Sequence, residues 1–281
     1  MMNIFEAAAN GDLTALKKLY YSSINMNIAD ENGYTPLHWA VQEGYDEIVD
    51  FLIFIGVDLN ILDVEGYSPI LIAAIKGNYV IINKLICAGA NITTNIDGYS
   101  ALHAAAAIGE QYICELLIKE GLDLNVQDQN GYGYTPLHWA VQENHLNVVK
   151  LMIEKGAKIN VKDIDGFSPI YIAASEGFSE IVNYLLQNGA DIEINCDGSS
   201  NCTPLIIASI YNNIDVVYLL LNRGANIEAK DSDGKTALFE AVLNNNEDIV
   251  SLLLKYQAKT DILDAEGNRL IDLISSKYEK L

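Results

Sequence analysis

A near-constant period governs this chain. One segment, written most fully as Gly33-Tyr34-Thr35-Pro36-Leu37-His38-Trp39-Ala40, recurs in seven versions, with its Thr or Ser at Thr35, Ser68, Ser100, Thr135, Ser168, Thr203 and Thr236. The gaps are 33, 32, 35, 33, 35 and 33 residues. Self-similarity at that spacing marks an array of small supersecondary units, none of which can bury its apolar face alone. Stacked neighbours share a continuous strip of core, so such a chain does not collapse around one centre.

The first complete unit shows how the letters build it. Asp30-Glu31-Asn32-Gly33 is a turn cluster, with Gly33 suited to a positive φ. Thr35 reads as a helix N-cap, and Pro36 sits at the first helical position, where a missing N–H is harmless. A short helix over Leu37–Glu43 ends at Gly44, and a second runs from about Asp46 to Ile55, with Ile48, Val49, Leu52 and Ile53 on one stripe. Gly56 closes it as a left-handed cap. The break between the two helices is Gly11, Gly44, Gly77, Gly109, Asn144, Gly177, Asn212 and Asn245, the two residue types that enter the left-handed region most cheaply. The closing cap is Gly56, Gly89, Gly121, Gly156, Gly189 and Gly224, then Gln257, so the last full unit is loosely specified at its end.

The pattern D-x-x-G-x-T-P-L-H-x-A, a Gly break, an apolar helix and G-A-D-x-N resembles the ankyrin repeat over nearly the whole chain. The resemblance implies an all-α repeat solenoid of helix-turn-helix units, each with a β-hairpin or loop, stacked into a curved array. Residues 1–281 are expected to form one domain: an N-terminal cap over 1–28, seven repeats over 29–263 and a C-terminal cap over 264–281, where Leu270, Ile271, Leu273 and Ile274 cover the last core. Ala101 and Ala237 replace the Pro, and Leu71, Tyr171, Ile206 and Phe239 replace the His. Those sites lose the hydrogen bonding that the resemblance assigns to His38, His103 and His138. A longer period overlies the short one. Gly33–Glu43 is repeated letter for letter as Gly133–Glu143, and Gly66–Ile70 recurs as Gly166–Ile170 with one change, which points to duplication of a three-repeat block and gives Trp39 and Trp139 a shared history.

Composition narrows the function. With 17 Lys and Arg against 38 Asp and Glu, the formal charge is −21. Duplex nucleic acid and anionic membranes are gripped by basic side chains, so neither is an expected partner. No apolar run approaches the ~20 residues that span a bilayer, and no signal peptide is visible. Four cysteines without a framework pattern fit a reducing compartment, so a cytoplasmic location is expected, with later export as an effector left open.

Three groups of residues are candidates for partner contact. The residue after the turn glycine is Tyr34, Tyr67, Tyr99, Tyr134 and Phe167, a position that faces the groove in the family that the chain resembles. Aromatic rings there offer large contact area at small entropic cost; the alternative is that each ring packs on the next repeat's turn. The first Asp of each turn (Asp30, Asp63, Asp128, Asp163, Asp231) is structural by the same resemblance. The additional acids Glu31, Glu65, Asp97, Asp165 and Asp233 would form a negative ridge that steers a cationic partner, or serve only solubility. At the ends of first helices, Ile75, Ile108, Ile210 and Tyr211 are apolar where a solvated face is expected; they form a contact patch or pack on a neighbouring helix. Two turns are longer by two residues, Asn130–Gly133 and Asp197–Cys202, and insertions in arrays fall in loops, often on the binding face.

The remaining polar motifs are read as structural. Cys196 and Cys202 are too far apart in sequence for a metal knuckle and read as two free thiols. Asn60, Asn125 and Asn160 occupy the slot that asparaginyl hydroxylases modify in some proteins with this repeat, or simply satisfy turn backbone. No phosphate-cradling loop and no nucleophile–base set is present, so no catalytic, cofactor or metal site is expected. The expected function is a non-catalytic module, a monomer, that holds a neutral or basic protein or peptide in its groove. The alternatives are an acidic antagonist occupying the basic site of a toxin or nuclease, and a substrate-recruiting adaptor.

Overall fold

The computed structural model describes residues 3–93, 95–129, 131–197 and 200–277. Asn130, Gly198 and Ser199 of the two expanded turns, and the ends of both expected caps, lie outside the described residues. The chain gathers into two compact units, Met1–Asn130 and Gly131–Leu281.

Both units are made from antiparallel helix pairs of short, nearly constant length. In the first unit the pairs are Ile4–Ala9 with Leu13–Tyr21, Pro36–Glu43 with Asp46–Phe54, Pro69–Ile75 with Tyr79–Cys87, and Ala101–Ala107 with Gln111–Lys119. In the second they are Pro136–Gln142 with Leu146–Glu154, Pro169–Glu176 with Ser179–Gln187, Pro204–Ile210 with Ile214–Asn222, and Ala237–Leu243 with Glu247–Lys255, followed by Leu270–Lys277. Within a unit, each first helix packs on the first helix of the next pair, and second helices do the same.

The local chemistry follows the letters. The hydroxyl of Thr35 caps the backbone N–H of His38, and Ser68, Thr135, Ser168, Thr203 and Thr236 cap the same position in their own pairs. At the break between helices φ is positive at every expected residue, Asn144, Asn212 and Asn245 included, and Gln257 takes φ 63° where the first pair uses Ser23, also at φ 63°, and the other second helices end on glycine. Short side chains let first helices approach closely: Ala73, Ala74, Ala104, Ala105, Ala173 and Ala174 are essentially fully buried. Ile48, Val49, Leu52 and their counterparts fill the space between helix layers. At the end of the chain only Leu270 is fully buried; Ile271, Leu273 and Ile274 are partly covered.

The turns between pairs are locked from within and to each other. Asp63 Oδ1 accepts from the N–H groups of Glu65 and Tyr67 at 2.9 and 2.8 Å, and Asp30, Asp163, Asp231 and Asp264 repeat that double bond in their own turns. The structural role expected of the first turn Asp is therefore present. Successive tips are joined by backbone bonds from Val64 N–H to Asn32 O (3.0 Å), Ile164 to Tyr132 (3.0 Å) and Ala265 to Asp233 (2.7 Å). Gly33 has to be glycine: a Cβ there would lie 2.6 Å from the Val64 nitrogen, and its φ is +79°. Only one tip, Asn95–Ile96 against Tyr99–Ser100, forms a two-stranded β ladder among the described residues. Elsewhere the turns are closed by backbone bonds such as Asp63 N–H to Tyr67 O and Gly66 N–H to Asp63 O, so of the hairpin or loop expected in each unit most take the form of a hydrogen-bonded loop.

Candidate interaction surface

The turn aromatics are placed by the backbone that enters each first helix. Tyr34 precedes the N-cap Thr35, whose extended conformation sends the chain into Pro36 and lays the Tyr34 ring over the first turn. There it stacks on His38 at 5.4 Å and 24°. Tyr99 stacks on His103 at 5.6 Å, Tyr134 on His138 at 5.4 Å and Phe167 on Tyr171 at 4.6 Å, nearly parallel. All five aromatics, Tyr67 included, are partly covered and partly open. Tyr34, Tyr99, Tyr134 and Phe167 thus pack on the residue four positions on in their own repeat, and Tyr34 also lies beside Asp63, Val64 and Glu65 of the next turn. Burial raises the Tyr99 phenol to about 12. Burial also raises Tyr34, helped by the nearby carboxylates of Asp63, Glu65 and Asp30.

The ring platforms are rigid. His38 Nδ1 lies 2.8 Å from Thr35 Oγ1 and its Nε2 3.3 Å from Tyr67 O, which ties one repeat to the next. His103 Nε2 reaches Val126 O at 3.0 Å and His138 Nε2 reaches Phe167 O at 3.2 Å. All three rings are fully buried, and burial lowers the His38 pKa below the ordinary histidine value.

The additional turn acids are exposed, each at its own turn. Glu31, Glu65, Asp97 and Asp165 enter no ion pair among the described residues. Asp233 differs. Lys235 Nζ lies 3.0 Å from its Oδ2 and 3.7 Å from Glu240, so the charge of Asp233 is partly offset. Of the apolar helix ends, Ile75 and Ile108 are 37% and 38% exposed, Tyr211 is 61% exposed and Ile210 is half-buried. Ile108 Cδ1 lies against Gly77, just past Ile75, so these two neighbour each other in the first unit; Ile210 and Tyr211 belong to the second.

Two features went unassigned in the sequence. Trp39 donates its indole N–H to Asp30 Oδ2 at 2.9 Å and meets Tyr34 edge-on at 5.1 Å, in the wall of a cavity of about 310 Å³ lined also by Gln42, Asp63 and Glu65. Its identity with Trp139 drew attention to ancestry; the signal available was an Asp nine residues earlier able to anchor the indole. The second feature is a set of side-chain links between successive loops. Asn60 Oδ1 accepts from Asn91 N–H at 2.7 Å and Asn160 Oδ1 from Asp191 N–H at 3.0 Å, so the backbone role expected for these asparagines is present. Glu193 and Glu228 make the corresponding links to Asn226 and Lys259.

Cys196 and Cys202 are buried and unoxidised, held by Cys196 N–H to Cys202 O and Cys202 N–H to Cys196 Sγ, both 3.2 Å. Burial raises the Cys202 thiol to about 12. Among the described residues no group of three or more His, Cys, Asp or Glu is placed to hold a metal ion, and no helix is long and apolar enough to cross a membrane.

Comparison with known proteins gives consistent matches. A family model described as "Ankyrin repeats (3 copies)" matches residues 4–96, 88–163 and 170–264. The crystal structure of the human ASB11 ankyrin repeat domain superposes with a TM-score of 0.71 at 25% identity, covering 80% of this chain and 99% of that one. Among curated proteins, the chain is 43% identical over 51 residues to "Ankyrin repeat-containing protein P1E11.10" of Schizosaccharomyces pombe, and 42% identical over 53 residues to "Protein phosphatase 1 regulatory subunit 27" of Mus musculus. Those matches take in 18% and 19% of this chain and only 25% and 34% of the relatives' own length. The all-α repeat solenoid expected from sequence is the fold class of the chain.

Proposed function

The chain belongs to the ankyrin repeat family, and from that premise we propose that it is a non-catalytic module that binds one protein or peptide. The binding face is the edge where turn tips and first helices meet. The observation that carries this reading is the set of half-covered rings, Tyr34, Tyr67, Tyr99, Tyr134 and Phe167. Four of them stack on a buried residue of their own helix. A ring already held in place loses little freedom when a partner covers its other side, which is what a binding anchor requires. Ile75, Ile108, Ile210 and Tyr211 extend the apolar area, and Glu31, Glu65, Asp97 and Asp165 bias it toward a neutral or basic partner. Asp233, paired with Lys235, contributes less. Nucleic acid and membrane surfaces are not partners in this proposal, and the chain acts as a cytoplasmic monomer with residues 1–281 as one domain.

The test uses the protein partner captured from the native host and then purified. Changing Tyr67 and Tyr99 together to Ala is expected to raise the Kd at least tenfold while circular dichroism keeps its helical signal. An unchanged Kd rejects the rings as anchors.

The surplus of acid also supports an antagonist reading, in which the exposed carboxylates occupy the basic site of a toxin or nuclease. Steep slowing of association with salt, together with loss of the target's activity, supports it; association indifferent to salt sets it aside.

A further inference from the structure

Tyr34 and Trp39 stand in a setting that differs in sequence from that of their copies in the second unit. The indole of Trp39 is pinned through its N–H to Asp30, and a cavity opens on each side of it. One, of about 310 Å³, is walled by Tyr34 and Gln42 and edged by Asp63 and Glu65. The other, of about 550 Å³, is walled by Phe5 and edged by Glu6, Asp30 and Glu31. Asn32 borders both, and no Lys or Arg lines either.

Elsewhere the chain answers such an environment with its own cation. Lys17 Nζ sits 5.6 Å from the centre of the Phe51 ring, and Lys150 Nζ sits 5.7 Å from that of Tyr184. An aromatic face beside carboxylates attracts a cation through both the ring quadrupole and the charges. At Trp39 no cationic side chain among the described residues lines either cavity. The raised Tyr34 phenol, affected first by burial and then by Asp63, Glu65 and Asp30, reports the negative field in the same place.

The second unit supplies an internal contrast. Gly133–Glu143 repeats the letters of Gly33–Glu43, and Tyr134 meets Trp139 at 5.4 Å much as Tyr34 meets Trp39. The residue corresponding to Asn32, however, is Tyr132, whose ring lies 5.3 Å from that of Tyr134.

We propose that the paired cavities around Trp39 form a subsite for the arginine side chain of a basic, extended peptide. The guanidinium stacks on the indole, and its fork of N–H donors reaches Asp63 and Glu65 on one side or Glu31 on the other. Arginine is chosen over lysine because a flat, weakly hydrated cation can lie on a ring and still pair with two carboxylates. The proposal rests on the interaction-module reading and names the chemistry of one part of that partner.

The test is a fluorescence titration. Trp139→Phe leaves Trp39 as the sole tryptophan of the chain. The probe is acetyl-Ser-Arg-Ser-Arg-Ser-amide, with matched peptides carrying citrulline or lysine in place of arginine. The arginine peptide is expected to change Trp39 emission saturably, with the citrulline peptide about tenfold weaker and the lysine peptide several-fold weaker. Glu65→Gln should weaken the arginine peptide about fivefold. Glu115→Gln, which removes the same charge from an exposed second-helix position, should leave it within twofold. Equal losses for the two variants, equal binding of citrulline or lysine peptides, or no emission change up to millimolar peptide each overturn the proposal. If these peptides fail while the Tyr67/Tyr99 double variant still loses its protein partner, the subsite alone is wrong and the module reading stands.

Discussion

His38 shows how much one buried side chain can hold. Its ring caps its own helix through Thr35, accepts the stacked face of Tyr34 and bonds to Tyr67 O in the next repeat. Leu71 fills the equivalent slot one repeat later, so the position tolerates an apolar residue; what it loses is the polar link. His38→Leu should lower stability by about 1–3 kcal/mol at pH 7, the range for leaving buried polar partners unsatisfied. The pH dependence has a definite sign. Burial lowers the folded pKa below the ordinary 6.5, so as pH falls the unfolded chain takes up its proton first. The stability contributed by neutral His38 is complete above that ordinary value and is lost as pH drops through the lower folded one. Urea midpoints measured from pH 7.5 to 5 should therefore fall more for the wild type than for His38→Leu, since carboxylate effects are common to both. Parallel midpoints would contradict it.

At the scale of the element, helix starts and stops were plain in the letters because each rests on one residue's own stereochemistry: a hydroxyl or Asp as cap, Pro at the first position, Gly or Asn in the left-handed region. Gln257 was legible in the same way, as the misfit. It adopts φ 63° at a position where the second helices of the six preceding pairs use glycine. Gln257→Gly should relieve about 1 kcal/mol of left-handed strain, offset in part by glycine's greater unfolded-state freedom. The expected net gain of a few tenths of a kcal/mol to 1 kcal/mol is readable in the urea midpoint, and a loss would show that Gln257 is held by contacts that outweigh the strain. The candidate surface was less legible. Which residues reach the turn edge followed from spacing, but where each ring lies depends on the extended N-cap backbone, which places residue i over residue i+4 across the helix entrance. The loop links were legible only in part, for another reason. Asn60 and Asn160 are readable as satisfying turn backbone, but Glu193 and Glu228, which do the same job with a different side chain, are not, since any acceptor oxygen within reach of the neighbouring N–H suffices. A pattern of letters does not reveal a role that several letters can fill.

For the molecule as a whole, charge is the dominant global variable. A surplus of 21 negative charges repels itself in the folded state more than in the expanded one. Raising salt from about 10 mM to about 150 mM shortens the screening length from about 30 Å to about 8 Å. The urea midpoint should rise over that interval, by an amount corresponding to about 1 kcal/mol or more. A flat or falling midpoint would mean that the local ion pairs, such as Lys84 with Asp50 at 2.9 Å, outweigh the general repulsion. The same titration bears on domain organisation: one cooperative transition supports residues 1–281 as a single domain, and two resolved transitions favour independent units 1–130 and 131–281.

The habit of four turn aromatics, Tyr34, Tyr99, Tyr134 and Phe167, to rest on their own helices has an evolutionary corollary. An exchange at Tyr99 or Phe167 first disturbs a stack within the module that bears it, so under the proposed function recognition can be rewritten largely one module at a time. Duplicating a block of three then supplies spare copies to diverge, and Tyr132 in place of Asn32 marks where one such copy has already taken its own course.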